Sequence, residues 1–221
     1  MTIPTLIVVF TMKRKRCYIM GAGESSELLK ILSAEYFIAA DGGYKELVSC
    51  GITPDLVIGD FDSLCDVPAH PNIIQTPTEK DETDMMMAVR KGLELGYTEF
   101  YLDGGMGGRF DHTYSNIQTL SYIVQNGARG YLLGKEVCIS AIKNDKLQFK
   151  SGLSGVISVF CVNQDATGVS LKGQKYTLDN AKMSNIFPYG VSNEFTGAPA
   201  EIEVRDGVLL VIWCGSPNDV I

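Results

Sequence analysis

The chain has 221 residues, of which 45% are hydrophobic and 20% are charged, so it can bury the core of one large domain or two small ones. Its formal net charge of −7 argues against a nucleic-acid binder, because such a protein needs a basic face for phosphate contacts. Small-molecule chemistry is therefore favoured, and no nucleic-acid or membrane partner is expected.

The amino terminus is expected to be an appendage to the fold. An apolar run at 5–10 precedes the basic residues 13–16, which reverses the order found in a secretory signal, and so short a run cannot span a bilayer. The six cysteines include no C-x-x-C pair, which is typical of reduced, mostly buried thiols. We expect a cytoplasmic protein whose residues 1–11 lie ahead of a natural start at Met12.

Short apolar runs alternate with helix-length amphipathic stretches between Cys17 and Leu133. This alternation predicts β-α units on an open, mainly parallel sheet with flanking helices, and thus an α/β fold. The predicted strands are 17–20, 36–40, 56–58, 73–75, 99–102 and 131–133.

Polar and glycine-rich turns follow these strands. Ligands bind at the carboxyl edge of open α/β sheets, so the turns are expected to converge on one crevice. Asp60 and Asp62 come directly after a short apolar run, and because two such carboxylates repel, a cation is expected between them. Oxygen ligands at this edge favour Mg²⁺. The candidate acidic residues are Asp41, Asp60, Asp62, Asp81, Asp84, Asp103 and Asp111.

A helix is predicted after Lys80. Asp81 and Asp84 have the spacing of an N-cap and its N3 position, and Gly96 is a suitable end. This prediction places the two carboxylates on one face, although both could simply cap the helix.

Phosphate chemistry is indicated by a glycine-rich turn and two cations. Gly104-Gly105-Met106-Gly107-Gly108 would let backbone N–H groups approach phosphates, and Lys80 and Arg109 could bind non-bridging oxygens. By contrast, Gly21-Ala22-Gly23 is a weak match to a dinucleotide fingerprint, because Ser26 stands at the third glycine position.

The carboxyl-terminal part has a different sequence pattern. Short apolar runs at 137–141, 147–149, 156–161, 201–204 and 208–213 are separated by Gly, Asn and Asp, and Asp206-Gly207 is a two-residue hairpin signal. We predict two domains, an α/β domain at 12–134 and an all-β sandwich at 135–221.

Several motifs resemble those of one family in their order along the chain. Asp41-Gly42-Gly43, Pro54-Asp55-Leu56-Val57-Ile58-Gly59-Asp60-Phe61-Asp62-Ser63, Lys80-Asp81-Glu82-Thr83-Asp84 and Gly107-Gly108-Arg109-Phe110-Asp111-His112 resemble the successive motifs of thiamine pyrophosphokinase. Gly173-Gln174-Lys175-Tyr176-Thr177-Leu178 and Gly190-Val191-Ser192-Asn193-Glu194 resemble the family's vitamin-binding β-domain, although the middle of the former departs from the commoner spelling.

The resemblance implies a homodimeric enzyme that uses Mg²⁺ to transfer diphosphate from ATP to thiamine. It implies metal binding by Asp60, Asp62 and Asp84. It implies ATP binding by Asp41, Gly42, Gly43, Thr83, Gly107, Gly108 and Arg109. The chemistry of the residues predicts catalytic roles for Lys80 and Arg109 as phosphate-binding cations and for Asp81 or Asp111 as proton acceptor. The resemblance implies substrate contacts by Arg109 and Asp111 and thiamine binding by Ser192 and Asn193. Lys80 stands where some members carry Gln.

Three questions remain open at the level of sequence. The proton acceptor for the attacking hydroxyl is Asp81 or Asp111. The substrate alcohol could instead be a pterin, or the chain could be a nucleotide-binding module without chemistry. We expect Ser192 and Asn193 of one subunit to meet the acidic loops of the other, since each half alone lacks part of the site.

Overall fold

The computed structural model describes residues 14–30, 32–61 and 69–221. The predicted appendage at 1–11 and the predicted metal ligand Asp62 lie outside the described residues.

The described residues form thirteen strands and three α-helices, with 3-10 turns at Leu28–Lys30 and Pro217–Asp219. The strands are β1 (Arg16–Met20), β2 (Tyr36–Ala40), β3 (Leu56–Gly59), β4 (Ile73–Gln75), β5 (Glu99–Asp103), β6 (Arg129–Leu133), β7 (Val137–Lys143), β8 (Lys146–Phe149), β9 (Val156–Lys172), β10 (Leu178–Met183), β11 (Asn193–Glu194), β12 (Ala200–Glu203) and β13 (Asp206–Cys214). The helices are α1 (Gly43–Ser49), α2 (Asp84–Glu94) and α3 (Phe110–Gln125).

The first six strands form a parallel sheet in the order β4-β3-β2-β1-β5-β6. All six lie where the sequence predicts them, within two residues at each end. Successive side chains of β1 point to opposite faces, so that Ile19 packs in one core cluster and Tyr18 in the other. Helix α2 covers the first cluster with Val89, whereas α1 covers the second with Leu47.

Helix α2 begins later than predicted. Thr83 is its N-cap, and the Thr83 side chain accepts a hydrogen bond from the backbone N–H of Met86 at 3.2 Å. The prediction that Asp81 caps this helix is therefore wrong, because the threonine hydroxyl satisfies the exposed N–H and makes Asp84 the first helical residue.

The sheet continues beyond β6 with antiparallel strands, so that the whole is a mixed sheet. Strand β7 pairs with β6, and β13 then joins β7 to the long strand β9. The first half of β9 pairs with β13, and its second half pairs with β12 and β10. The hydrogen-bonded sheet therefore crosses the predicted boundary at 134/135.

The predicted hairpin at Asp206-Gly207 is wrong. Strand β12 pairs with β8 and β9, whereas β13 pairs with β7 and β9, so that β9 separates them in the described sheet. Gly207 instead lies inside β13 with φ +123°, where a Cβ atom would come within 2.9 Å of the Ala166 side chain. This glycine permits close strand approach rather than a turn.

Aromatic side chains join separate strands of the carboxyl-terminal part. Phe149 of β8 lies 5.3 Å from Trp213 of β13 and 5.2 Å from Phe195, measured between ring centroids. Because β8 and β13 are not neighbours in the sheet, these contacts bring two layers of strands together.

The cysteines differ from the prediction in burial. The five described cysteines are free thiols, but only Cys17 and Cys138 are buried, whereas Cys50 and Cys214 are exposed. The two exposed thiols lie at the end of α1 and at the end of β13, where the chain leaves the core. No helix in the described ranges is long and apolar enough to cross a membrane.

Candidate active site

A crevice of about 530 Å³ lies at the carboxyl edge of the parallel strands. Its walls come from the turns that follow β1, β2, β3, β4 and β5 and from the beginnings of α2 and α3. This is the convergence that the turn pattern predicts for an open α/β sheet.

The structure brings together many, though not all, of the predicted site residues. Those that line the crevice are Asp41, Asp60, Lys80, Thr83, Asp84, Gly107, Gly108 and Arg109. Those that do not line it are Gly42, Gly43, Asp81, Asp111, Ser192 and Asn193. Gly43 is buried, and a Cβ atom there would lie 2.0 Å from the Met20 carbonyl oxygen, so its need for glycine is explained by packing.

Lys80 holds two of the acidic groups together. Its Nζ lies 2.7 Å from Asp84 Oδ1 and 3.8 Å from Asp60 Oδ2. It also donates a hydrogen bond of 2.8 Å to the hydroxyl of the buried Thr76. The three charged side chains are only 13–19% exposed, so the solvent screens their attraction weakly.

Asp60 is positioned by a strained turn. The next residue, Phe61, has φ +62°, yet its ring is buried at 3% exposure in the core. Gly59 precedes Asp60, and a Cβ atom at Gly59 would come within 3.0 Å of Asp41 Cα. The buried ring and the close approach of these two turns fix where the Asp60 carboxylate leaves the sheet.

Two glycine turns pack against each other in the crevice wall. The backbone N–H of Gly23 donates to the Gly104 carbonyl at 2.9 Å, and a Cβ atom at Gly23 would lie 2.5 Å from that oxygen. Asn116 of α3 donates to the Gly105 carbonyl at 2.8 Å. The beginning of the 104–108 segment is therefore held by contacts on both sides, at Gly104 and at Gly105.

Asp103 lies beneath the crevice and does not line it. This fully buried carboxylate accepts hydrogen bonds from Tyr18, from both the backbone and the hydroxyl of Ser26, and from the backbone of Gly104. Burial, and then the neighbouring carboxylate, raise the pKa of Tyr18 far above its ordinary value, so the phenol stays protonated and donates. Sequence pattern grouped Asp103 with the functional aspartates, but its contacts make it an anchor of the two turns.

Arg109 and Asp111 form an exposed ion pair at the start of α3. Arg109 donates from Nε to Asp111 Oδ1 at 3.1 Å and from an Nη atom to Oδ2 at 2.6 Å. This hydrogen bonding lowers the pKa of Asp111 and raises the pKa of Arg109. Arg109 is a lining residue of the crevice, whereas Asp111 is not.

Asp81 lies in a second cavity of about 300 Å³ between the beginning of α2 and the side of α3. Ser115, Thr119 and Tyr122 of α3 line this cavity as well. Glu82 and Thr83 belong to the walls of both cavities, so the two spaces are neighbours.

Ser192 and Asn193 lie in the carboxyl-terminal part of the sheet. Ser192 is exposed with φ +59°, and its backbone N–H donates to Ser158 at 3.0 Å. The Asn193 side chain is buried and bonds to both backbone groups of Tyr176. The Asn193 amide therefore stabilises the backbone at Tyr176, whereas the Ser192 side chain is accessible.

The donor set fits a hard cation. Asp60 and Asp84 already share the positive charge of Lys80, which shows that both carboxylates face one point. In the described ranges no group of three His, Cys, Asp or Glu side chains converges to hold a metal, and Asp62 falls outside those ranges. Two carboxylates with water and phosphate oxygens are a usual Mg²⁺ environment.

Sequence reasoning missed other residues of the crevice. Four further polar side chains line it: Thr78, Glu82, His112 and Asn116. Thr78, Glu82 and His112 lie within or beside the quoted motifs, so their position in the chain was a usable signal. Asn116 offered none, because a buried asparagine one turn further along α3 reads as an ordinary helical residue.

Two family models match the chain. The model for "Thiamin pyrophosphokinase, catalytic domain" matches residues 29–132, and that for "Thiamin pyrophosphokinase, vitamin B1 binding domain" matches residues 144–209. The first range contains most of the residues that line the crevice, although Gly21, Ala22 and Gly23 precede it. The second range contains Ser192 and Asn193.

Individual relatives carry the same description. Thiamine pyrophosphokinase of Bacillus subtilis is 28% identical over 183 residues, covering 80% of this chain and 86% of its own length. Thiamin pyrophosphokinase 1 of Caenorhabditis elegans is 29% identical over 196 residues, covering 81% and 79% respectively. A crystal structure of the Bacillus subtilis enzyme superposes with a TM-score of 0.80 at 27% identity, covering 91% of this chain and 100% of that one.

Proposed function

The chain belongs to the thiamine pyrophosphokinase family, and on that premise we propose that it transfers the diphosphate group of ATP to the hydroxyl of thiamine, giving thiamine diphosphate and AMP. The observation that carries this proposal is the crevice in which Asp60, Lys80 and Asp84 converge opposite the glycine turns and Arg109. The named relatives and the match at 144–209 favour thiamine over a pterin, and an enzyme over a module without chemistry.

The crevice supplies the groups that phosphoryl transfer needs. We assign Mg²⁺ binding to Asp60 and Asp84, together with Asp62, and when bound the ion neutralises charge on phosphate oxygens. Gly107 and Gly108, both with positive φ, present backbone N–H groups to the phosphates, and Arg109 offers its planar fork to a phosphate oxygen.

The nucleotide is held by the neighbouring turns in this proposal. Asp41, Gly42 and Gly43 follow β2 and form the side of the site, and Thr83 contacts ATP while it caps α2. Asp41 lines the crevice directly, whereas Gly42 and Gly43 act by fixing the turn that carries it.

The chemical step joins the thiamine oxygen to the β-phosphorus of ATP and breaks the bond between that phosphorus and the oxygen of the α-phosphate, which leaves as AMP. The hydroxyl proton needs an acceptor. We assign this role to Asp81 rather than Asp111, because the hydrogen bonds from Arg109 lower the pKa of Asp111 and so weaken it as a base. Asp111 then orients Arg109 before the substrate arrives.

Asp81 also has a suitable position. Its cavity shares Glu82 and Thr83 with the crevice, so an alcohol bound there can face the phosphates in the neighbouring space. The acidic side chains of this cavity favour a cationic thiazolium ring.

We further propose a homodimer with two domains per chain, 12–134 for ATP and a β-sandwich at 135–221 for thiamine. The layered contacts of Phe149, Phe195 and Trp213 support a sandwich. Exposed apolar side chains beside Ser192 support a second copy as partner. They are Tyr176, Ile186 (88% exposed), Phe187, Tyr189 and Val191. Ser192 then reaches the acidic loops of the partner subunit.

The free thiols of the described cysteines support a cytoplasmic location. The reaction is tested by incubating the chain with ATP, Mg²⁺ and thiamine and by separating the nucleotide products. Equal amounts of AMP and thiamine diphosphate are expected. Formation of ADP and thiamine monophosphate, or turnover only with another alcohol, would contradict the proposal.

A further inference from the structure

We infer that Lys80 is a built-in counter-ion that a metal ion has to displace, so that metal entry into the crevice is coupled to nucleotide binding. The inference rests on the proposed function, because it concerns the same carboxylates.

Three oxygen atoms define the position of the Lys80 ammonium group. Asp84 Oδ1 at 2.7 Å and Thr76 Oγ1 at 2.8 Å are within hydrogen-bond distance, and Asp60 Oδ2 at 3.8 Å completes the ion pairs. An ammonium group has three donors, so this environment engages it closely. With its side chain 16% exposed, Lys80 is part of the crevice wall rather than a solvated surface charge.

A divalent ion at Asp60 and Asp84 needs the space that Lys80 occupies. Mg²⁺ binds oxygen at about 2.0–2.1 Å, which is inside the hydrogen-bond distance that Lys80 keeps to the same oxygen atom. Two positive charges held by the same carboxylates repel each other. The ammonium and the metal ion therefore compete for these carboxylates.

The displaced lysine needs other acceptors. Its flexible four-carbon stem lets the ammonium group swing, and the phosphates of a nucleotide in the same crevice are suitable partners. Nucleotide binding then stabilises the Lys80 ammonium group in the displaced position that metal entry requires. Because such coupling is reciprocal, nucleotide tightens metal binding and metal tightens nucleotide binding.

The test measures metal and nucleotide separately, with no turnover involved. Mn²⁺ binding to the nucleotide-free full chain is followed by the electron paramagnetic resonance signal of free Mn²⁺. Binding of ATP without metal is followed by a fluorescent ATP analogue in EDTA. Lys80→Gln and Lys80→Met remove the charge, and Lys91→Gln is the control, since Lys91 on α2 pairs with Glu94 at the surface.

Both Lys80 variants should bind Mn²⁺ about tenfold more tightly than the parent, within the usual range of coupling between sites, and should bind metal-free ATP more weakly. Lys91→Gln should match the parent in both measurements. Opposite shifts are the signature of an exchanged counter-ion, because a lysine that only maintains the fold would weaken both ligands. Thermal melts in EDTA confirm that each variant is folded.

Unchanged or weaker Mn²⁺ binding in both Lys80 variants would overturn the inference. Adding Asp84→Asn to Lys80→Gln should abolish the gain in Mn²⁺ affinity, and a gain that persists would also overturn it, since the metal would then bind elsewhere. The proposed function is tested separately by the activity assay of the parent chain. It fails if the parent chain makes no thiamine diphosphate.

Discussion

Tyr18 of β1 donates a hydrogen bond of 2.5 Å to Asp103, the last residue of β5, and both residues are fully buried. The same carboxylate binds Ser26 and Gly104, so this pair joins the turns on either side of the crevice floor. The geometry of the crevice therefore depends on a contact that lies below it.

Tyr18→Phe should lower the free energy of unfolding by about 1–3 kcal/mol, because Asp103 loses a donor while remaining buried. It should also raise KM for ATP, since the turns after β1 and β5 lose part of their anchor. Urea unfolding and steady-state kinetics measure the two effects.

Tyr101→Phe is the matched control. Tyr101 is a buried phenol on the neighbouring strand β5 and donates to Glu99 at 2.8 Å, away from the crevice. A comparable loss of stability with unchanged KM is expected. Equal KM values for both variants would show that the Tyr18 contact does not position the site.

The strands could be predicted wherever local pattern decides the structure. Short apolar runs predict β2 and β4 with their observed ends, although only β2 contains buried residues and β4 lies at the edge of the sheet. Strand β9 was predicted to stop at Cys161 but continues to Lys172. Its polar middle at 163–165 is mostly exposed, and the residues at 166–172 pair with the distant strands β10 and β12, which local pattern does not reveal.

The candidate site was predictable in its acidic and glycine-rich motifs but not in its supporting contacts. Asp60 and Asp84 follow recognisable strand and helix signals, and both line the crevice. Asp103 has the same residue type and a similar place after a strand, yet its burial depends on Tyr18, which lies 85 positions away in the chain. Partners so distant in sequence leave no periodic signal.

Arg109→Lys should lose most of its turnover although it keeps its positive charge. Arg109 binds Asp111 through two hydrogen bonds of its planar fork, and a lysine ammonium cannot reproduce this bidentate geometry toward a carboxylate or a phosphate. Initial rates at varied ATP measure the loss. Arg129→Lys, at the opposite edge of the sheet where β6 begins, should keep parental rates. Parental kinetics in Arg109→Lys would show that Arg109 is only a solvated surface charge.

Gln174→Leu should stabilise the chain by about 1–3 kcal/mol, the cost of leaving a polar group buried without a partner. Gln174 is 4% exposed, and neither atom of its amide has a hydrogen-bond partner among the described residues. Urea unfolding measures the change. Gln148→Leu is the control, since the exposed Gln148 bonds to Glu201 and should gain nothing. A destabilised Gln174→Leu would mean that the amide binds a group such as a buried water molecule.

Mixing two inactive variants tests the shared site. Ser192→Trp blocks the thiamine side and Asp60→Asn weakens the acidic side, so a heterodimer places both lesions in one site and leaves the other intact. Up to about half of the parental activity per heterodimer should return, as two-fold symmetry requires. A mixture of Asp60→Asn with Asp84→Asn should stay inactive, because both of its sites carry a lesion. Chain exchange without restored activity would place thiamine within one subunit.

The most direct test of the account is the rate at which Asp84→Asn forms AMP and thiamine diphosphate at limiting Mg²⁺. Asp84 binds Lys80 at 2.7 Å and faces the crevice, whereas the control Asp179→Asn changes an exposed carboxylate of β10. We expect Asp84→Asn to lose at least about 100-fold in turnover, within the range for lost electrostatic stabilisation, while its thermal melt stays close to that of the parent. Asp179→Asn should behave like the parent. Parental turnover of Asp84→Asn at limiting Mg²⁺ would contradict the claim that this crevice holds the metal and transfers the diphosphate.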